Sequence, residues 1–249
     1  MNRINKRMSY DLTKFKHGLE ELNITLTDKQ TEQFLQYYEM LVEKNKVMNL
    51  TGITEYEEVI QKHFLDSLSL IRVISDIDSQ KLTVIDLGTG AGFPGLPLKI
   101  AFPELEITLM DSLNKRILFL QEVIDALGLK KVSAVHGRAE EMAANAAHRQ
   151  QYDLCVSRAV SNLAVLTEYC LPFVKKGGLF VSYKSADSDA EIQEGKKAIS
   201  ILGGKLTTVD KFQLPDSDLG RALVCIKKVK DTPKKYPRKA GTPAKLPLK

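Results

Sequence analysis

The sequence predicts an α/β protein: a doubly wound, mostly parallel sheet, finished by an antiparallel C-terminal hairpin strand and preceded by N-terminal helices. Three observations predict it. Short apolar runs, of the kind that strands buried on both faces need, recur from residue 82 onward. Helical segments alternate with them, which is the pattern of a parallel sheet with crossover helices. The last two apolar runs, residues 205–212 and 221–229, are joined by a short polar stretch with no room for a crossover helix, so that pair is expected to be antiparallel.

The elements follow in order. Thr27 and Gln30 have capping-box spacing. Phe34, Tyr37, Tyr38, Leu41 and Val42 then recur at the spacing of one helix face. These aromatics could stack on bases, but a buried helix face is the expected role. Residues 49–52 break this helix, and another begins at 54–57 and runs through His63, Leu68 and Ile71. Strands are expected at 82–87, 106–110, 132–135, 152–156 and 179–183. Residues 113–127 read as a helix, with Gly128 as its stop. The tail carries Pro233, Pro237, Pro243 and Pro247, four of the nine prolines, so it is expected to be extended, either pinned to the body or ordered on RNA. The divisions expected are a helical region at 1–78, a Rossmann-like domain at 79–229 and a basic tail at 230–249.

Bulk properties narrow the class. The chain has 249 residues, 43% of them hydrophobic, enough for a core. No apolar run reaches eighteen residues, so no membrane span is expected. Residues 1–16 are charged and do not form a secretory signal. Cys155, Cys170 and Cys225 are widely spaced, which argues against a disulfide framework or a zinc site, and no metal is expected. The expected protein is cytoplasmic and monomeric. Its net charge of +5 is concentrated: residues 227–249 hold nine basic residues and one acid, Asp231. Such a tail attracts polyanions, nucleic acid first among them.

The sharpest motif is Asp86-Leu-Gly88-Thr-Gly90-Ala-Gly92, at a strand-to-helix turn. Ligands of open α/β sheets bind at the carboxyl ends of the strands. The spacing is G-x-G-x-G, with Phe93 standing where a dinucleotide site would have its third glycine, which weakens an NAD reading. Asp111 ends the second strand, where it can accept from ribose hydroxyls or cap the helix that follows. Asp86 either suits the neighbourhood of a sulfonium or caps the turn. S-adenosyl-L-methionine carries a ribose and a sulfonium but no phosphate, and it is the cofactor favoured. Ala139 and Glu140, after the third strand, are positioned to read adenine. Arg158, after the fourth, lies where the methyl group would point.

Absent motifs limit the acceptor. Residues 157–160 lack the Asn/Asp-Pro-Pro-aromatic pattern of exocyclic-amine methylation, and Cys155 sits within a strand, not in a Pro-Cys dipeptide. Guanine N7 has a free lone pair and needs alignment rather than a base. Arg158, Lys184 and Arg221 stand at strand ends and are expected to bind phosphates around it. Other acceptors, and a non-catalytic RNA-binding role, stay open on these residues alone. The tail is expected to serve RNA, so its removal should spare cofactor binding.

Several segments together carry a family resemblance: Asp86–Pro97 with its Gly-Phe-Pro-Gly-Leu-Pro continuation, Asp111-Ser-Leu-Asn-Lys-Arg116, Ser157-Arg-Ala159, and Tyr236-Pro-Arg-Lys-Ala-Gly-Thr-Pro243. Asn49-Leu-Thr51 and His63-Phe-Leu-Asp-Ser-Leu68 join them in the same order. From about residue 20 onward the chain resembles the bacterial 16S rRNA guanine-N7 methyltransferase family, also called glucose-inhibited division protein B. The resemblance implies a class I S-adenosylmethionine-dependent methyltransferase sheet and methyl transfer to N7 of guanine 527 in the 530 loop. It implies 16S rRNA or the 30S subunit as partner. It also implies cofactor contacts at Gly88, Phe93, Asp111, Ala139, Glu140 and Arg158. His63 falls in a family motif, and the expected role for it is packing of the helical region on the sheet.

Overall fold

A computed structural model describes residues 10–248. Of the charged N-terminal stretch, residues 1–9 lie outside the described part, as does residue 249 of the tail. Helices α1 (Thr13–Glu21), α2 (Asp28–Met48), α3 (Tyr56–Val59) and α4 (Asp66–Leu68) come first, with a π-helical turn, Ile60–Leu65, between α3 and α4. Then follow β1 (Thr83–Leu87), α5 (Gly95–Ala101), β2 (Glu106–Asp111), α6 (Asn114–Ala126), β3 (Val132–His136) and α7 (Ala139–Met142). The chain continues through β4 (Tyr152–Arg158), α8 (Leu163–Cys170), β5 (Val174–Ser185), α9 (Asp189–Ile201), β6 (Gly204–Gln213), β7 (Gly220–Lys228) and α10 (Thr242–Lys245).

The seven strands lie in the order β3-β2-β1-β4-β5-β7-β6. β3 to β5 are parallel, and β7 is antiparallel to both β5 and β6. The order reverses at β1, which pairs with β2 on one side and β4 on the other, so the crevice of the fold opens beyond the carboxyl ends of these two strands. β1 is buried from Val84 to Leu87, as a central parallel strand must be. Alternation along it sends Val84 to one core layer and Ile85 and Leu87 to the other.

The N-terminal helices cover the first layer. α2 opens with the expected capping box: Gln30 N–H donates to Thr27 Oγ1 and Thr27 N–H donates to Gln30 Oε1. The same Gln30 amide donates to the carbonyls of Ile100 and Ala101, satisfying the C-terminal end of α5. Phe34, Tyr37 and Leu41 are buried, so this face is core and not a stacking platform. Tyr38 is half-buried and donates to Thr54 O. α2 ends at Asn49 in the left-handed conformation.

Two expectations need correction. The helical run begins at Tyr56, inside the expected 54–57, but it is not continuously α-helical, because the π turn interrupts it. The tail is not wholly extended: α10 makes one turn, with Pro243 in its first positions, where the missing N–H would have had no partner. Cys155, Cys170 and Cys225 are all free and buried. Among the described residues no helix is long and apolar enough to cross a membrane.

Candidate functional site

The glycine turn leaves β1 with Gly88 N–H and Thr89 N–H donating back to Met110 O at 2.9 and 3.1 Å. Gly90 has φ +62° and Gly92 φ +109°, conformations that exclude most side chains. A Cβ on Gly92 would also lie 2.7 Å from the Tyr37 hydroxyl, whereas a Cβ on Gly90 would meet nothing within 4 Å. Gly90 therefore presents bare backbone to open space. Tyr37, buried in the helical layer, donates to Ala91 O at 2.6 Å and so fixes the turn from below.

Asp86 is fully buried beneath this turn. Its Oδ2 accepts from Thr89 Oγ1 at 2.6 Å and from Gly95 N–H at 2.8 Å, while Oδ1 has no partner among the described residues. Burial pushes its pKa up to about 6, against the pull of those two hydrogen bonds. Asp86 thus caps the turn and α5, one of the two roles expected for it, and it does not belong to the lining of either cavity described below.

Asp111 closes β2. Its Oδ1 accepts from Leu113 N–H at 2.9 Å, and its Oδ2 accepts from Gly90 N–H at 3.0 Å and Arg116 Nη1 at 3.1 Å. The carboxylate joins the turn to the start of α6, and it also lines a cavity of about 490 Å³. Gly88, Ala139 and Glu140 line the same cavity, as do Arg138, Val160 and Tyr169. Gly241 and Ala244 of the tail complete it. Gly241 N–H donates to Glu140 Oε1 at 3.0 Å.

A second cavity of about 560 Å³ adjoins the first and shares Gly88, Arg116 and Ala159 with it. It is lined by Phe93, Arg158, Lys184 and Arg221, together with Thr51, Lys62, His63 and Asp66. The proposed phosphate- and acceptor-binding residues are therefore brought together here. Among the expected cofactor contacts, Asp111, Ala139 and Glu140 fall in the first cavity, Phe93 and Arg158 in the second, and Gly88 at the junction.

The second cavity is organised by Asp66, only 3% exposed. Its Oδ2 accepts from Arg158 Nη1 at 2.6 Å and its Oδ1 from Arg221 Nε at 3.1 Å. Arg158 Nη1 also donates to Lys62 O at 3.2 Å, a carbonyl of the π turn. An insertion of this kind widens a helix and frees carbonyls, so it often marks a functional site. Arg158 Nη2 donates to His63 Nδ1 at 3.2 Å. An arginine has no acceptor, so Nδ1 must be the bare nitrogen and Nε2–H donates to Thr51 Oγ1 at 2.8 Å. His63 stacks on Phe93 with ring centroids 4.3 Å apart. Burial, with the Arg158 charge second, drives its pKa down to about 3. Lys184 donates to Ser161 O at 2.7 Å and Glu191 Oε1 at 2.6 Å, tying the loop after β4 to α9.

Site reasoning from the sequence misses Asp66, Thr51, Arg116, Tyr169 and Gly241. Asp66, Thr51, Arg116 and Gly241 stood within the family motifs 63–68, 49–51, 111–116 and 236–243, so a signal existed for them. Tyr169 stood in none of those motifs, and the basic, proline-rich composition of the tail did not itself point to a cavity.

Residues 30–220 match the model of a family described as rRNA small subunit methyltransferase G. The chain is 57% identical over 238 residues to the ribosomal RNA small subunit methyltransferase G of Lachnoclostridium phytofermentans, covering 96% of this chain and 98% of that one. It is 54% identical over 234 residues to the protein of the same name from Alkaliphilus metalliredigens, covering 94% and 97%. Among solved structures, TrmN from Thermus thermophilus superposes with a TM-score of 0.51 at 15% identity, over 66% of this chain and 48% of that one. M. jannaschii TYW2 in complex with AdoMet gives 0.50 at 13% identity, over 66% and 77%. The fold is that of the class I S-adenosylmethionine-dependent methyltransferases.

Proposed function

Because the chain belongs to the rRNA small subunit methyltransferase G family, we propose that it methylates N7 of guanine 527 in the 530 loop of 16S rRNA, using S-adenosyl-L-methionine. The bound cofactor supplies a methyl group on a sulfonium. The residues present fit it. Bare backbone at Gly90 faces the larger cavity, and a buried carboxylate, Asp111, lines the smaller one, which is large enough for an adenosine. Asp111 would accept from the ribose hydroxyls. The backbone at Ala139 and the second oxygen of Glu140 would read the adenine edge. Gly88, Phe93 and Arg158 would border the methionine end.

One observation carries the acceptor assignment. The larger cavity is lined by five cations, Lys62, Arg116, Arg158, Lys184 and Arg221, and it offers no free base. Its one carboxylate, Asp66, is occupied by two arginines, and its histidine is neutral with Nδ1 already accepting. Such a wall suits a phosphate-flanked base whose nucleophile needs no deprotonation. Guanine N7 is that kind of atom, and rate would come from alignment. His63 and Asp66 would hold the Arg158 guanidinium in place, and none of its four contacts uses Nε, which stays available to a ligand. In an A-form helix N7 lies in a groove too deep and narrow for side chains, so a loop base or an extruded base is the expected substrate.

The exposed lysines Lys234, Lys235, Lys239 and Lys245 of the tail would add contacts to the rRNA backbone, in naked 16S rRNA or in the 30S subunit. The test is transfer of labelled methyl from the cofactor to ribosomal RNA taken from cells lacking the protein. Label in the small-subunit RNA alone is expected; label in neither ribosomal RNA would overturn the proposal.

A further inference from the structure

The C-terminal strap is anchored to the body at several points. Arg149 donates to Thr232 O at 2.9 Å and to Tyr236 O at 2.9 Å. Glu168, fully buried, receives Arg238 through its backbone N–H at 2.8 Å and through Nε and Nη2 at 2.9 and 2.6 Å. Tyr236 and Pro243 are themselves buried. A carboxylate this far from water needs its partner, so the ion pair holds the strap firmly at Arg238. From there the chain reaches the smaller cavity, and Gly241 and Ala244 become part of its wall.

We propose that the strap segment from Gly241 to Ala244 is part of the cofactor site, closing the adenine end and orienting Glu140 through the Gly241 N–H. This rests on the assignment of the smaller cavity to the adenosine of S-adenosylmethionine. A ligand of that size gains affinity from burial of most of its surface, so a missing wall weakens it. Glu140 is exposed to competing rotamers without a partner. With Oε1 engaged by Gly241, Oε2 is held where an exocyclic amine can donate to it. The strap therefore contributes to affinity and to discrimination of adenine from a base with a carbonyl at that position.

Two variants test this by calorimetry with S-adenosylhomocysteine, with no turnover involved. Ala244 is exposed to solvent, so Ala244→Trp should leave the ligand-free melting temperature unchanged while crowding the cavity. The expected result is an affinity lower by about tenfold. A chain ending at Lys239, which keeps the Arg238–Glu168 pair, should lose affinity and also lose part of its preference for S-adenosylhomocysteine over S-inosylhomocysteine. Unchanged affinity in both variants would overturn the strap proposal and leave the cavity assignment standing. Failure of the full chain to bind S-adenosylhomocysteine at all would overturn the cavity assignment itself, and the strap proposal with it.

Discussion

His63→Gln should change how stability depends on pH, by an amount the geometry sets. In the folded protein His63 is neutral: Nδ1 accepts from Arg158, Nε2–H donates to Thr51, and burial beside a guanidinium takes its pKa from 6.5 down to about 3. A depressed folded value means that the unfolded chain binds the extra proton first. The contribution is therefore fully present above about pH 6.5 and is lost as pH falls toward 3, at about 1.4 kcal/mol per pH unit once the unfolded imidazole is protonated. From pH 7 to pH 5 the loss integrates to about 2 kcal/mol. Asp86 works in the opposite sense, because its folded pKa is raised from 3.8 to about 6 and folding gains from its proton over that interval. The two effects offset each other in the parent below about pH 6, which hides both. Subtracting the profiles of parent and His63→Gln isolates the histidine, since glutamine can still accept from Arg158 and donate to Thr51 but does not titrate. Urea unfolding at pH 7 and pH 5 should show the variant gaining about 2 kcal/mol relative to the parent on acidification. Parallel profiles, within about 0.5 kcal/mol, would refute the neutral buried histidine and the Arg158 geometry built on it.

Two other substitutions probe the two cavities. Asp66→Asn leaves Arg158 and Arg221 facing each other without a counter-charge; their side chains are 12% and 24% exposed, so the loss should be about 2–4 kcal/mol, a little under that for a fully buried pair. A loss below about 0.5 kcal/mol in urea unfolding would show that the carboxylate behaves as a surface group. Asp111→Ala should weaken S-adenosylhomocysteine binding by about 1–3 kcal/mol in calorimetry, through the ribose and through the Gly90 N–H left without its acceptor. Unchanged affinity would reduce Asp111 to a brace between the turn and α6.

The sheet was legible because a strand buried on both faces has little choice of composition. Val84, Ile85 and Leu87 leave no other assignment for β1, and Gly88 to Gly92 mark the turn that follows. Asp111 and Arg158 were legible for a related reason: polar residues that end apolar strands in this fold stand at the crevice, and both do. Lys184 shows the limit of that rule, since it stands at the end of β5 but spends two of its bonds on the loop after β4 and on Glu191. The π turn at Ile60–Leu65 could not be read locally. Its carbonyls are met by Arg158, more than ninety residues further along the chain. The strap is pinned to the body, one of the two alternatives expected, but its place beside a cavity was not legible. Prolines and lysines indicated an extended basic tail, and they carry no sign that Glu168 and Arg149, two polar groups far upstream, would lay it against a cavity. Its removal is therefore not expected to spare cofactor binding.

The proposed reaction falls on one atom of one nucleotide. Methylation at N7 labilises the glycosidic bond of guanine, so borohydride reduction followed by aniline cleaves the RNA at that residue and primer extension maps the break. Small-subunit rRNA from cells lacking this protein, incubated with the purified chain and S-adenosylmethionine, should gain one new break, in the 530 loop at guanine 527. A methylated RNA that gains no break there, or one that gains it elsewhere, would rule out guanine 527 N7 as the acceptor.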